Sequence, residues 1–343
     1  MSKTLFIRAD GNESIGAGHI MRSMTIANVF RKSGYHCIYI SSAPVKKELF
    51  KKNGYDVIEI ASPYNMKTPE EAYEISELLR NYESDYILVD SFNINNEYLQ
   101  ILKQSANLIC INSTRERLIT DYLINENIAC DREYLEKLYL GTGTKLLLGA
   151  EYSPVRDEFV NRLYKVGREV KRVLVTTGGG DQYDFMTEFL KRIKNNMLYD
   201  GIMFTVISGG YNIHYDNLMK ESENRANIKI ISNPENMSDL MIESDVAVSA
   251  GGTTVLELSV IGVPTIGISV AEDQKPGLSF MEKNGMIQYA GHITDSCFWD
   301  SFFECFNNSI RDYEMRKRLS ESCKSYFDGR GAERVFLQIT GGN

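Results

Sequence analysis

Arg172-Val173-Leu174-Val175-Thr176-Thr177-Gly178-Gly179-Gly180-Asp181 is a short apolar run closed by a glycine-rich turn, and it is the second such unit in the chain. The first is Leu5-Phe6-Ile7, followed by Gly16-Ala17-Gly18 and a helical pattern over residues 19–32. A strand, a glycine turn and an amphipathic helix open a doubly wound α/β domain. Two such openings, separated by a Gly- and Pro-bearing break at residues 148–156, predict two domains.

Outward from each opening, short apolar runs alternate with helical stretches. In the first half the runs are Cys37-Ile38-Tyr39-Ile40, Val57-Ile58-Glu59-Ile60, Tyr86-Ile87-Leu88-Val89 and Leu108-Ile109-Cys110-Ile111, then apolar dyads near Tyr122 and Leu146. Helical patterns fall around residues 45–52, 70–82 and 97–104. In the second half, strands are expected at Phe204-Thr205-Val206-Ile207, Ile228-Lys229-Ile230-Ile231, Val246-Ala247-Val248 and Thr265-Ile266-Gly267-Ile268, and a charged helical end from Asp312. This alternation predicts parallel sheets covered on both faces. The expected domains are two Rossmann-like halves, 1–152 and 153–343, with an interdomain cleft and with the last helix a candidate to pack back on the first half. In such sheets ligands bind beyond the carboxyl ends of the strands.

The 343 residues carry 38 Lys plus Arg and 46 Asp plus Glu, a net charge of −8. That balance disfavours non-specific nucleic-acid binding, which needs a basic surface. No run of about 18 apolar residues predicts a membrane span. The opening Met1-Ser2-Lys3-Thr4-Leu5-Phe6-Ile7-Arg8-Ala9-Asp10 has too short an apolar stretch for a signal-peptide core, so a cytoplasmic protein is expected. The six cysteines form no C-x-x-C pair and read as reduced thiols. The four histidines are not spaced as metal ligands, so neither metal nor cofactor is expected.

Three motifs carry chemistry. Between the first strand and first helix stands Arg8-Ala9-Asp10 with Gly16-Ala17-Gly18-His19-Ile20-Met21-Arg22. Gly16 and Gly18 allow close backbone approach, and a helix beginning near His19 points free N–H groups at a ligand. Met21 occupies the third glycine position of a dinucleotide fingerprint, and the second strand ends in Ser41-Ser42 without a ribose-binding acid, which disfavours NAD. His19 is the best candidate general base, because imidazole titrates near neutrality. His36, His214 and His292 lack such a setting. Gly178-Gly179-Gly180-Asp181 is the second motif, a phosphate cradle or a plain strand–helix turn. The third is Ser249-Ala250-Gly251-Gly252-Thr253-Thr254, leading to Glu257 one turn into a helix. Glycine amides there suit an anion, and Glu257 suits two ribose hydroxyls; equally, Thr253 reads as a helix cap and Glu257 as a first-turn acid. Asp273-Gln274 follows the next strand.

Together these motifs resemble the UDP-2,4-diacetamido-2,4,6-trideoxy-β-L-altropyranose hydrolase and spore-coat polysaccharide family of the GT-B superfamily. Further matches are Gly149-Ala150-Glu151-Tyr152, Val155-Arg156-Asp157-Glu158-Phe159, Gly262-Val263-Pro264, Gln274 and Asp328-Gly329-Arg330-Gly331-Ala332-Glu333-Arg334-Val335. The resemblance implies a GT-B-like fold and metal-independent, inverting hydrolysis of a UDP-linked deoxyamino sugar, feeding nonulosonic (pseudaminic-type) acid synthesis. It places the catalytic base on His19. It places the sugar near Arg8, Asp10, Gly16, Gly18, Asp90, Tyr152, Asp273 and Gln274. The nucleotide falls on Gly178, Gly179, Gly180, Ser249, Gly251, Gly252, Thr253, Thr254 and Glu257. The chain departs from the family pattern around the sugar: Asp90-Ser91-Phe92 stands for Asp-His-Tyr, Asn112-Ser113 for paired aspartates, and Asp273-Gln274 for Asn-Gln.

Two other readings compete. One is a glycosyltransferase on the same scaffold, with His19 deprotonating an acceptor hydroxyl. For a lipid acceptor, Val45-Lys46-Lys47-Glu48-Leu49-Phe50-Lys51-Lys52 is the candidate membrane patch, against its reading as a solvated amphipathic helix. The other is a binding protein that holds a nucleotide sugar without turning it over.

Overall fold

The computed structural model describes residues 3–11, 18–42, 47–91, 93–194 and 196–342. They form two compact units: 1–155 together with 330–343, and 156–329.

In the first unit the strands are β1 (Thr4–Ala9), β2 (His36–Ser42), β3 (Asp56–Ile60), β4 (Tyr86–Asp90), β5 (Asn107–Ile111), β6 (Tyr122–Asn125) and β7 (Lys145–Leu148). Between them run α1 (Gly18–Lys32), α2 (Lys47–Lys52), α3 (Pro69–Asn81), α4 (Asn96–Leu102) and α5 (Arg132–Leu138). All strand pairs are parallel, in the order β3-β2-β1-β4-β5-β6-β7. The order reverses between β1 and β4, and that switch point is where doubly wound sheets bind ligands. Helix α3 starts where Thr68 accepts a hydrogen bond from Glu71 N and Pro69 supplies a preset φ.

The first unit has a core on each face of its sheet. On one, Phe6, Ile38, Ile87 and Val89 meet Ile75 and Leu79 of α3 and Leu99 and Leu102 of α4. On the other, Leu5, Ile7 and Leu88 meet Ile26, Ala27 and Phe30 of α1. The last helix, α13 (Gly331–Thr340), completes that second face with Ala332, Val335, Phe336 and Ile339. The ring of Phe336 stands 4.9 Å from that of Phe30, edge to face. The division of the chain therefore falls between Val155 and Arg156, and the terminal helix counts with the first unit.

The second unit repeats the plan. Its strands are β8 (Arg172–Thr176), β9 (Met203–Ser208), β10 (Ile228–Ser232), β11 (Val246–Ala250), β12 (Thr265–Ser269) and β13 (Gln288–His292). Its helices are α6 (Phe185–Ile193), α7 (Tyr215–Ser222), α8 (Met237–Ile242), α9 (Thr253–Ile261), α10 (Lys275–Lys283), α11 (Phe298–Arg311) and α12 (Tyr313–Tyr326). The order β10-β9-β8-β11-β12-β13 again reverses beside the opening strand, between β8 and β11. Strand β13 has no apolar run to announce it; it is an edge strand that completes the sheet by pairing with β12.

In the candidate membrane patch, Val45 and Lys46 lie outside the described residues. Phe50 is fully buried against Tyr39, with ring centroids 4.8 Å apart. Its ring is spent on the core, and Lys47, Lys51 and Lys52 are exposed around it. Among the described residues no helix is long and apolar enough to cross a membrane.

Candidate functional site

At the switch point of the first unit, β4 ends in Asp90 and α1 begins at Gly18. His19 Nδ1 lies 2.6 Å from Asp90 Oδ1. One turn further along α1, Arg22 donates from Nε to Asp90 Oδ2 at 2.6 Å and from Nη2 to Asp90 Oδ1 at 2.5 Å. Arg22 Nη1 donates to Glu126 Oε1 at 3.0 Å, just beyond β6. Asp90 is wholly buried. Burial opposes its ionisation, but Arg22 and the His19 bond outweigh burial and hold its carboxyl below the ordinary range. An ionised carboxylate only accepts, so Nδ1 of His19 carries the proton and the basic lone pair sits on Nε2. The imidazole side chain is 16% exposed. Asp90 thus orients the His19 ring, and its substrate-facing assignment from the sequence is corrected: a fully buried carboxylate bound to two side chains has no reach to a ligand.

Arg8 and Asp10 are corrected on the same ground. Arg8 is fully buried, and its guanidinium donates to Glu71 Oε1 at 2.8 Å, Asp10 Oδ1 at 2.6 Å and Ser42 Oγ at 2.8 Å. Asp10 also accepts from Ser42 N at 2.8 Å, Ser91 Oγ at 3.0 Å and Lys67 Nζ at 3.4 Å. Burial works against both charges, but Arg8 still holds the Asp10 carboxyl down, and Asp10 holds the Arg8 cation. Burial lowers the affinity of Lys67 for its proton, and nearby Arg8 lowers it further. This knot ties β1, β2 and α3 together beneath the switch point. Gly16 and Phe92 lie outside the described residues. A Cβ on Gly18 meets nothing within 4 Å, so the backbone there is open. Tyr152 is half-buried and packs against the first unit's core. His292 is buried, with Nδ1 3.0 Å from Ser269 Oγ.

In the second unit the turn after β8 places Thr177 Oγ1 on Gly180 O at 2.8 Å. Asp181, the fourth residue of that motif, accepts from Phe185 N and Met186 N, both at 2.9 Å. The start of α6 is therefore capped by the protein's own carboxylate, and Gly178 N already donates to Thr176 Oγ1 at 3.1 Å, which leaves the amides of Gly179 and Gly180 as the turn's candidate anion donors. Sequence reading missed Gly209, whose only signal is Ser208-Gly209-Gly210 after a strand. A Cβ there would stand 2.3 Å from Gly178 O and 2.4 Å from Gly179 O, so glycine lets the two turns pack.

Beyond β11 the assignments separate. Ser249 is fully buried and donates Oγ to Ala250 O at 3.0 Å, so its hydroxyl serves the backbone. Gly252, not Thr253, is the N-cap of α9; no side chain caps this end and no acid stands in its first turn. Thr253 is exposed and Thr254 half-buried. The start of α9 thus offers uncapped amides and two hydroxyls at the switch point. Glu257 is buried, and Oε1 accepts from Arg156 Nε at 3.0 Å. Burial, opposed by Arg156, pushes its carboxyl up to about 7. Arg156 also pairs with Glu158 at 2.7 Å. Gln274 Oε1 accepts from Val270 N at 2.9 Å and shapes the turn after β12, and Asp273 beside it is exposed. Among the described residues, no group of three or more His, Cys, Asp or Glu side chains is placed to hold a metal ion.

This strand–turn–helix run coincides with a known domain. Residues 172–278 match the glycosyltransferase family 28 C-terminal domain. Along most of its length the chain is also similar to curated proteins. It is 22% identical to UDP-2,4-diacetamido-2,4,6-trideoxy-beta-L-altropyranose hydrolase of Campylobacter jejuni, over 82% of this chain and 97% of that protein. It is 22% identical to spore coat polysaccharide biosynthesis protein SpsG of Bacillus subtilis, over 96% of this chain and 95% of that protein. Among solved structures, MnaA of S. aureus in complex with UDP superposes with a TM-score of 0.67 at 12% identity, covering 98% of this chain and 96% of that one. The fold is α/β and GT-B-like, with two doubly wound Rossmann-like units.

Within residues 172–278 the adjacent glycines Gly251 and Gly252 have different jobs. A Cβ on Gly251 would meet Leu278 Cδ1 at 2.8 Å and Gln274 Cβ at 3.0 Å, whereas one on Gly252 meets nothing within 4 Å. Gly251→Ala is expected to lower stability by about 1–3 kcal/mol through overpacking. Gly252→Ala is expected to leave the melting temperature near wild type. Thermal melts of both variants check this; equal melting losses would show that Gly252 is also a packing residue.

Proposed function

We propose that the protein hydrolyses a UDP-linked deoxyamino sugar, of the UDP-2,4-diacetamido-2,4,6-trideoxyhexose type, to UDP and free sugar without a metal and with inversion. The observation that carries this reading is the Asp90–His19 pair at the first unit's switch point, 2.6 Å apart. The name of the similar protein from C. jejuni supports the substrate class, and that of the B. subtilis protein supports a role in polysaccharide synthesis.

In this reaction His19 Nε2 takes a proton from water as the water oxygen attacks the anomeric carbon opposite UDP. The anomeric C–O bond breaks and its electron pair leaves with the β-phosphate. Amides at the start of α9 and in the 178–180 turn hold that developing charge. Asp90 stabilises the imidazolium until the proton is released to solvent. Glu257 holds the ribose, and Asp273 and Gln274 meet the sugar hydroxyls. Arg8 and Asp10 keep the strand ends in place and touch no substrate.

The test is UDP release from a panel of UDP-sugars with EDTA present and no acceptor, with the anomer of the free sugar read by NMR. Release from a diacetamido-trideoxy sugar with inversion supports the reading. UDP binding without release moves the assignment to a transferase, the second reading that the family 28 domain favours.

The carboxyl of Glu257 adds a pH prediction. With its carboxyl near 7, it ionises as pH rises through that value, and only the carboxylate accepts from both ribose hydroxyls. UDP affinity is expected to fall about ten-fold between pH 8 and pH 6. Glu257→Gln should flatten that slope, which separates the side chain from ionisation of the UDP phosphate itself. A slope retained in Glu257→Gln would assign the effect to the ligand.

A further inference from the structure

The geometry points to a positioning role for Glu126: we propose that it keeps the Asp90–His19 pair able to take up a proton by sharing the Arg22 guanidinium that Asp90 holds. This rests on the reading of His19 as the base. A guanidinium bound bidentately to the aspartate of an Asp–His pair neutralises the charge that should stabilise the imidazolium. Here Arg22 grips both oxygens of Asp90, at 2.6 and 2.5 Å, and Nη2 also lies 3.1 Å from His19 Nδ1. Left alone, that cation opposes protonation of the ring.

Glu126 offsets it. Its Oε1 accepts from Arg22 Nη1 at 3.0 Å. Its Oε2 is buried with no hydrogen-bond partner among the described residues. The residue is fixed in place: Ser153 Oγ donates to its backbone carbonyl at 3.0 Å. The described charged groups facing this carboxylate are Arg22 and His19 from α1 and Asp90 from β4. Among the described residues one guanidinium faces two carboxyl groups here, so the second of them offsets the Arg22 charge beside the ring. Burial pushes the Glu126 carboxyl above its ordinary range, and Arg22 pulls it part of the way back. Glu126 touches no reacting atom in this scheme, which makes it a positioning residue.

The experiment follows the His19 ring in the full-length protein by NMR across pH, without substrate, with His19→Ala assigning the resonance. Glu126→Gln keeps the shape and an acceptor for Arg22 but removes the charge. The midpoint of the His19 titration is expected to fall by about 0.5–1 pH unit in Glu126→Gln, a 3- to 10-fold loss of proton affinity. Arg22→Gln removes the cation and is expected to move the midpoint upward. The acid limb of kcat/KM should follow both shifts. A midpoint that stays or rises in Glu126→Gln, or one that falls in Arg22→Gln, overturns the proposal. Because the ring titration needs no turnover, a protein that fails to hydrolyse UDP-sugars would sink the functional reading and leave this test standing.

Discussion

His19→Ala is expected to slow UDP release from the sugar nucleotide by about 10²–10⁴-fold, the usual contribution of a positioned general base. UDP affinity should stay within about a factor of two, because a group that acts only in the transition state does not hold the ground state. The proposed nucleotide residues, from Gly178 to Glu257, all belong to the second compact unit, while His19, Asp90 and Arg22 belong to the first. Removing the imidazole therefore leaves every proposed nucleotide contact intact. Steady-state release and calorimetric UDP titration, run on the same preparation, separate the two effects. Loss of affinity equal to the loss of rate would make His19 a binding residue and remove the base from the mechanism.

Gly331→Ala is expected to destabilise the protein by about 3 kcal/mol or more, the upper part of the range for overpacking. A Cβ there would stand 2.1 Å from Ser153 O and within 2.7 Å of Ser153 C and N. Those are backbone atoms and cannot rotate aside. Ser153 is itself anchored, with N donating to Ala150 O at 3.0 Å and Oγ to Glu126 O at 3.0 Å. Yielding at this point would lift α13 from the first unit, exposing the side chains of Val335, Phe336 and Ile339. Gly18→Ala, in open space, is the matched control and should melt near wild type. A Gly331→Ala midpoint equal to the control would show that the backbone relaxes without cost.

Much of the fold is legible along the chain because local periodicity encodes it. Leu5-Phe6-Ile7, Tyr86-Ile87-Leu88-Val89 and Arg172-Val173-Leu174-Val175-Thr176 read as buried strands, since a parallel sheet covered on both faces needs continuous apolar runs. The helix predicted over 19–32 is α1, Gly18–Lys32. Strand β13 was not legible, because an edge strand with Gly291 and His292 carries neither an apolar run nor alternation. The candidate site was partly legible. His19 stands out through its glycines and its place before a helix. Arg22 and Glu126 do not, because a charge on a helix face or after a strand reads as solvated until its partner is known.

The alternation of strands and helices, the two glycine-turn openings and hence two Rossmann-like halves are written in the order of residues along the chain. Which charges meet depends on how the sheets fold. His19, Asp90 and Glu126 follow three different strands and come together because the sheet order sets β4, β5 and β6 in turn beside β1. The same packing spends Arg8 and Asp10 on an internal knot and returns the last helix, α13, to the first unit. Periodicity is a property of neighbours in the chain, whereas desolvation and ion pairing depend on neighbours in space.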